Sequence, residues 1–153
     1  MTTKTAPNEP QMDVAEVAAR LRLSATRLAR RLRQQAGTGH TPSQLSALAT
    51  VDHHGPLTLG ALAEHERVAP PSITKVLAKL EADGLVERAT DADDRRVQRV
   101  STTKAGRDLI AETRRRKTTW LTARIRELPA GEQARLVAAL DVLDHLAVQD
   151  DLP

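Results

Sequence analysis

The sequence predicts a mainly α fold in which a run of helices is interrupted once, late in the chain, by a small β-hairpin. Three observations predict it. Apolar residues recur at spacings of three and four along most of the chain, which is the helical period. Of the 153 residues, 40% are hydrophobic but only 1% are aromatic, so the core is built of Leu, Val, Ile and Ala, a usage that favours helices over a sandwich or barrel. Only two short segments read as strands, and they flank one polar loop.

The elements follow in order. Residues 1–11 carry Pro7 and Pro10 and little that is apolar, and are expected to form a loose arm. Val14, Val17, Ala18, Leu21, Ala25, Leu28 and Leu32 then make one helical stripe, with Asp13 placed to cap it. The stripe is close to a heptad seam, which suits packing on a partner helix. Gly37-Thr38-Gly39 ends it. Thr41 is the next cap, Pro42 sits at the first helical position and Gln44 completes a capping box. Leu45, Leu48, Ala49 and Val51 continue that helix, and Gly55-Pro56 stops it. Thr58 caps a short helix holding Leu59, Leu62 and Ala63. After a break around Arg67, Pro70-Pro71 open another helix that runs to about Asp83 and ends at Gly84. The strand-like segments are Leu85-Val86-Glu87-Arg88 and Val97-Gln98-Arg99-Val100. A long amphipathic segment spans residues 103–128, Pro129-Ala130-Gly131 breaks it, and a last helix carries Leu136, Val137, Leu140, Leu143 and Ala147.

Composition narrows the function. With no cysteine, disulfides, thiol chemistry and zinc-cysteine sites are excluded. No stretch approaches the ~18 apolar residues of a membrane helix, and the polar start is no signal peptide, so a cytoplasmic protein is expected. The net charge is +3, and the acidic stretch 141–151 leaves the rest more basic than that total, which hints at a polyanionic partner.

The order short helix, turn, helix, β-hairpin is the plan of a winged helix-turn-helix. In the second helix Ile73, Val76, Leu77 and Leu80 share one face, at i, i+3, i+4 and i+7. Pro71, Lys75 and Ala78 point away from it, with Ser72, Thr74 and Lys79 beside them. Short polar side chains near the N-terminus, with cations in reach, are what a helix in the major groove needs. Arg95 and Arg96 sit in the loop between the strands, where an arginine at a wing tip could enter the minor groove. The alternative is a solvated turn of mixed charge.

Taken together, Pro71-Ser72-Ile73-Thr74-Lys75, Leu80-Glu81, Gly84-Leu85-Val86-Glu87-Arg88, Asp94-Arg95-Arg96 and Ser101-Thr102-Thr103-Lys104-Ala105-Gly106 resemble the MarR family of bacterial regulators. The motifs span residues 41–106, and the flanking helices fit as well. The resemblance implies a homodimer formed by the N- and C-terminal helices and seated on a pseudopalindromic operator in double-stranded DNA. It implies that Ser72, Thr74, Lys75 and Lys79 face the major groove, that Asp94 braces the wing, that Arg96 enters the minor groove, and that Thr58 lies near a phosphate. Arg67 departs from the pattern, standing where such turns often carry glycine; a positive φ there would strain it.

The domain organisation expected is an arm at 1–11, a dimerisation region at 12–37 and 103–148, a winged helix-turn-helix at 41–101 and an acidic tail at 149–153. The resemblance implies a site between these regions, where MarR-like proteins often bind small aromatic acids, and His53 and Trp120 are the candidate effector-binding residues. Trp120 reads first as a core or interface residue and only second as part of an effector pocket, and the scarcity of stacking partners argues against a planar aromatic effector. Asp52-His53-His54 resembles a phosphoesterase signature but lacks the further carboxylates, and no catalytic, cofactor or metal site is expected. Arg114-Arg115-Arg116-Lys117 interrupts the fifth helix and reads as a solvated face, or as an anion contact. The function expected is a sequence-specific regulator, a dimeric repressor released by a small molecule. The alternatives are an effector-independent regulator, or a winged-helix module for DNA packaging or protein contact.

Overall fold

The computed structural model describes residues 13–148; the expected arm at 1–11 and tail at 149–153 lie outside them. The element order is α1 (Val14–Gln34), α2 (Pro42–His54), β1 (Leu57–Thr58), α3 (Leu59–Glu66), α4 (Pro70–Ala82), β2 (Val86–Thr90), β3 (Gln98–Thr102), α5 (Lys104–Arg126) and α6 (Ala130–Val148). No described helix is long and apolar enough to cross a membrane.

Three of the described helices, α2, α3 and α5, start on a threonine side-chain cap. Thr41 accepts from the Gln44 N–H while the Gln44 side chain accepts from the Thr41 N–H, a complete capping box with Pro42 behind it. Thr58 accepts from the Ala61 N–H, and Thr103 from the Gly106 N–H. Asp13 is a correction: it stands at the N-cap of α1, but its carboxylate makes no capping hydrogen bond. The charge run at 114–117 is another, because α5 continues through it without a break.

The sheet has three strands, not two. β1 is the strand missing from the sequence expectation; it pairs antiparallel with β3, Leu57 opposite Val100 and Thr58 opposite Arg99. β3 also pairs antiparallel with β2, from Val86 opposite Thr102 to Thr90 opposite Gln98, which gives the order β1-β3-β2. The expected strands, 85–88 and 97–100, begin one residue early and stop two short: the ladder runs on through the exposed Ala89 and Thr90 of β2 and through Ser101 and the buried Thr102 of β3.

One aliphatic core joins α2, α3 and α4 to the sheet and the start of α5. Leu48, Val51, Leu62, Leu77 and Leu80 are its most enclosed large side chains, and Ile73, Leu85, Val86, Val100 and Ile110 pack with them. Burying each side chain of this size stabilises the fold by about 1.5–3 kcal/mol. Gly106 lets α5 approach: a Cβ there would run into the Leu85 carbonyl oxygen and lie 2.7 Å from Thr102 Cγ2. α1 contributes no buried residue to this core. Val14, Val17, Leu21 and Leu28 of α1, and Val137, Leu140, Val142, Leu143 and Leu146 of α6, stay exposed.

Candidate nucleic-acid interface

α3 and α4 meet through a turn whose hinge is Arg67, at φ 53° and ψ 42°. This is the left-handed region, so the strain anticipated for a non-glycine there is present. The Val68 N–H donates back to the Ala63 carbonyl at 3.0 Å and closes the turn. α4 then buries Ile73, Leu77 and Leu80, with Val76 partly covered. The same packing turns Pro71, Ser72, Thr74, Lys75 and Lys79 outward, and all five are exposed. Thr74 Oγ1 donates to the Pro70 carbonyl at 2.9 Å, so it shows a methyl group and an acceptor lone pair to the outside. Lys79 Nζ lies 2.6 Å from Asp83 Oδ1, one helical turn on. Thr58, at the N-terminus of α3, is half-buried through its strand pairing and cap.

The wing is the loop between β2 and β3. Arg95 and Arg96 stand exposed on its turn. Asp94 Oδ1 accepts from the Arg96 N–H at 2.9 Å, a local bond that shapes this turn. The acid holding most of the loop is Asp91, which sequence reasoning missed. Its Oδ1 accepts from the N–H groups of Asp93 and Asp94 at 2.9 and 3.2 Å, and its Oδ2 from Arg99 Nε on β3. The Arg99 guanidinium, helped by those two amides, holds the Asp91 carboxyl down at about 2. The signal available was only that Asp91 opens the loop and that Arg99 lies on the facing strand.

Behind α4, the α1–α2 connection is tied at several points. His40 Nδ1 lies 2.9 Å from the Thr38 carbonyl, and Nε2 lies 3.1 Å from Asp83 Oδ2 at the end of α4. Lys79 and His40 together, with Lys79 the larger influence, keep the Asp83 carboxyl below its ordinary range. Arg116 of α5 reaches the other end of the connection, donating to the carbonyls of Ala36 and Gly37. Between these elements lies a cavity of about 770 Å³, walled by Leu45 and Ala49 of α2, Ile73 and Val76 of α4, and the cations of Arg33 and Lys117.

Neither His53 nor Trp120 lines that cavity. His53 is exposed at the end of α2, edge-on to His54, which stacks on His65 with ring centroids 4.1 Å apart. Desolvation, then the charges of His65 and His53, lower the His54 pKa. Trp120 is half-buried on α5, with the Arg124 guanidinium carbon 5.9 Å from its ring centroid. The cavity was not legible because its walls come from five helices and the connections between them. Among the described residues, no group of three or more His, Asp or Glu is placed to hold a metal ion.

Known proteins share this arrangement. Residues 40–97 match the model of the MarR family. An HTH-type transcriptional regulator of Mycobacterium bovis is 40% identical over 140 residues, covering 91% of this chain and 96% of that protein. The HTH-type transcriptional repressor MdtR of Bacillus subtilis is 38% identical over 68 residues, 44% of each chain. The crystal structure of a transcriptional regulator from Pseudomonas aeruginosa PA01 superimposes with a TM-score of 0.76 at 36% identity, covering 87% of this chain and 95% of that one.

Proposed function

The chain belongs to the MarR family of DNA-binding transcriptional regulators, and from that premise we propose that it acts in the cytoplasm as a homodimeric repressor of a pseudopalindromic operator, released by a small-molecule effector. The observation that carries the DNA contact is the outer face of α4. Ser72, Thr74 and Lys75 project from a helix whose opposite face is locked into the core, beside a wing bearing Arg95 and Arg96. A helix so fixed presents donors, acceptors and a cation at constant height, which base reading requires. Pro71 at the helix start and Thr58 at the start of α3 flank it toward the backbone phosphates. Asp94 shapes the turn from which Arg96 would enter the minor groove.

The dimer is supported by the apolar residues of α1 and α6, which nothing in the described chain covers. Two identical subunits match two half-sites about one DNA turn apart. Repression is supported by the likeness to MdtR, whose name describes a repressor.

The effector reading rests on the cavity. It touches Ser72, Ile73 and Val76 of the recognition helix as well as the linker to α1, so an occupant would bear on the helix that meets DNA. A ligand acts there only through a difference in affinity between the bound and free states.

The test has two readouts. Sedimentation equilibrium at micromolar concentration is expected to give a dimer, and footprinting upstream of the protein's own gene a protected two-fold site. A persistent monomer would overturn the dimer reading, and equal affinity for random duplex would overturn the regulator reading in favour of DNA packaging. Screening small acids for release from that site tests the effector; an operator complex that no cavity ligand dissociates leaves an effector-independent regulator.

A further inference from the structure

We infer that the linker at residues 36–40, tied to α5 by Arg116 and to the recognition helix by His40, fixes where that helix stands relative to α5, and so sets the half-site spacing the protein accepts. The inference rests on the reading of a dimer on two half-sites.

The chain leaves α1 at Gln34 and enters α2 at Pro42, with no regular structure between. A free connection of that length would be loose, yet this one is bonded on both sides. Arg116 Nη1 donates to the Ala36 and Gly37 carbonyls at 3.3 and 3.1 Å. Arg116 Nε donates to Glu112 Oε1 at 2.7 Å, so the guanidinium is held by its own helix while it grips the linker. The backbone is shaped around that grip: Gly37 has φ +56°, and a Cβ there would stand 3.0 Å from Arg116 Nη1. Three residues on, His40 bridges the Thr38 carbonyl and Asp83, the C-cap of α4. Asp83 in turn takes Lys79 from the last turn of α4.

These bonds form a continuous link from α5 through the linker to the recognition helix. α5 also packs against α1, one of the two helices with uncovered apolar faces. The link is therefore placed to hold the reading head at one distance and angle from the dimer axis. Arg116 and His40 are positioning residues: neither lies on the outer face of α4. The test therefore reads a property that general weakening would not move.

That property is tolerance to spacing. An operator would be recovered by selection from random duplexes, then lengthened or shortened by one base pair at its centre. One base pair shifts a half-site by about 3.4 Å and turns it by about 34°. The parent protein is expected to lose roughly tenfold or more in affinity, comparable to a mismatch in the site. In Arg116→Gln and His40→Ala the same insertion is expected to cost about threefold or less, measured against each variant's affinity for the natural spacing. Arg116→Lys guards against misfolding, because it keeps the stem and the charge but has one nitrogen in place of the two, Nε and Nη1, that face Glu112 and the linker from different positions. A merely structural role would lower affinity equally on every spacing. Folded Arg116→Lys and His40→Ala variants with the parent's spacing penalty would overturn the inference. A parent with no spacing penalty would instead overturn the two-half-site reading on which it rests.

Discussion

Asp91 and Arg99 join the two arms of the wing: the Arg99 guanidinium on β3 donates to the Asp91 carboxylate just beyond β2, while the other Asp91 oxygen takes the Asp93 and Asp94 amides. One side chain thus closes the base of the loop and shapes its turn. Asp91→Ala is expected to raise hydrogen exchange at the Asp93 and Asp94 amides and to weaken operator binding by roughly three- to tenfold, since a loose wing must be ordered on association. The melting temperature should move little, because residues 92–96 of the loop are exposed. The pH dependence has a definite sign. The Asp91 carboxyl sits at about 2 in the folded chain against 3.8 ordinarily, so the clasp is fully present above about pH 4 and is lost as the pH falls toward 2. Asp91→Asn removes that dependence. Unchanged amide exchange in Asp91→Ala would show that the wing holds its shape without the clasp.

Asp94 and Arg96 give a test whose two explanations differ in sign. Asp94 Oδ1 accepts from the Arg96 N–H. If Asp94 is only an acid near DNA, Asp94→Ala should tighten binding by removing repulsion. If it shapes the turn, the same variant should weaken binding. Weaker binding is expected, with an unchanged melting temperature. Arg96→Ala should reduce affinity and flatten the salt dependence by about 0.9 per lost phosphate contact. Salt titrations of both variants against the parent separate the outcomes.

Arg67 holds a left-handed conformation, φ 53°, at the turn between α3 and α4. An L-residue with a Cβ pays about 1–2 kcal/mol for that region. Glycine removes the strain but widens the unfolded ensemble, which returns part of the gain. Arg67→Gly is expected to stabilise the fold by about 0.5–1 kcal/mol, read as a higher denaturant midpoint at unchanged slope. A lower midpoint would mean that the arginine side chain contributes more than its backbone costs.

What could be read from the sequence was what is encoded locally. Ile73, Leu77 and Leu80 announce their buried face because α4 packs on one side only. Thr41, Thr58 and Thr103 begin their helices through bonds spanning three residues. What was hidden depends on distant partners. β1 is two residues long, too short to alternate, and exists because Val100 and Arg99 stand opposite. Asp91, Asp93 and Asp94 look alike in a polar loop, and only the hairpin register brings Arg99 to the first. Arg116 sits in a charge run that reads as solvated, yet its target carbonyls lie about eighty residues earlier in the chain. The outward face of α4 was legible; the cavity behind it was not, because no single period marks walls drawn from several segments.

Lys75 and Lys79 lie one turn apart on α4, but their surroundings differ. Lys79 Nζ is 2.6 Å from Asp83 Oδ1, so its charge is already partly answered, and meeting a phosphate would mean leaving that carboxylate. Lys75 stands nearer the N-terminus of the helix, on the face directly opposite Ile73 and Leu80, where the recognition helix of such a motif meets base edges. Lys75→Ala is therefore expected to cost more operator affinity than Lys79→Ala. A base contact by Lys75 is worth about 1–3 kcal/mol and would relax preference at one operator position. A phosphate contact would weaken binding evenly across sequences and lower the salt slope by about 0.9. Neither substitution should disturb folding, since both side chains are exposed. Affinities measured on the operator, on single-position operator variants and on random duplex distinguish these cases. A larger loss from Lys79→Ala than from Lys75→Ala would mean that the helix enters the groove nearer its C-terminal end, with the Asp83 pair opened by DNA.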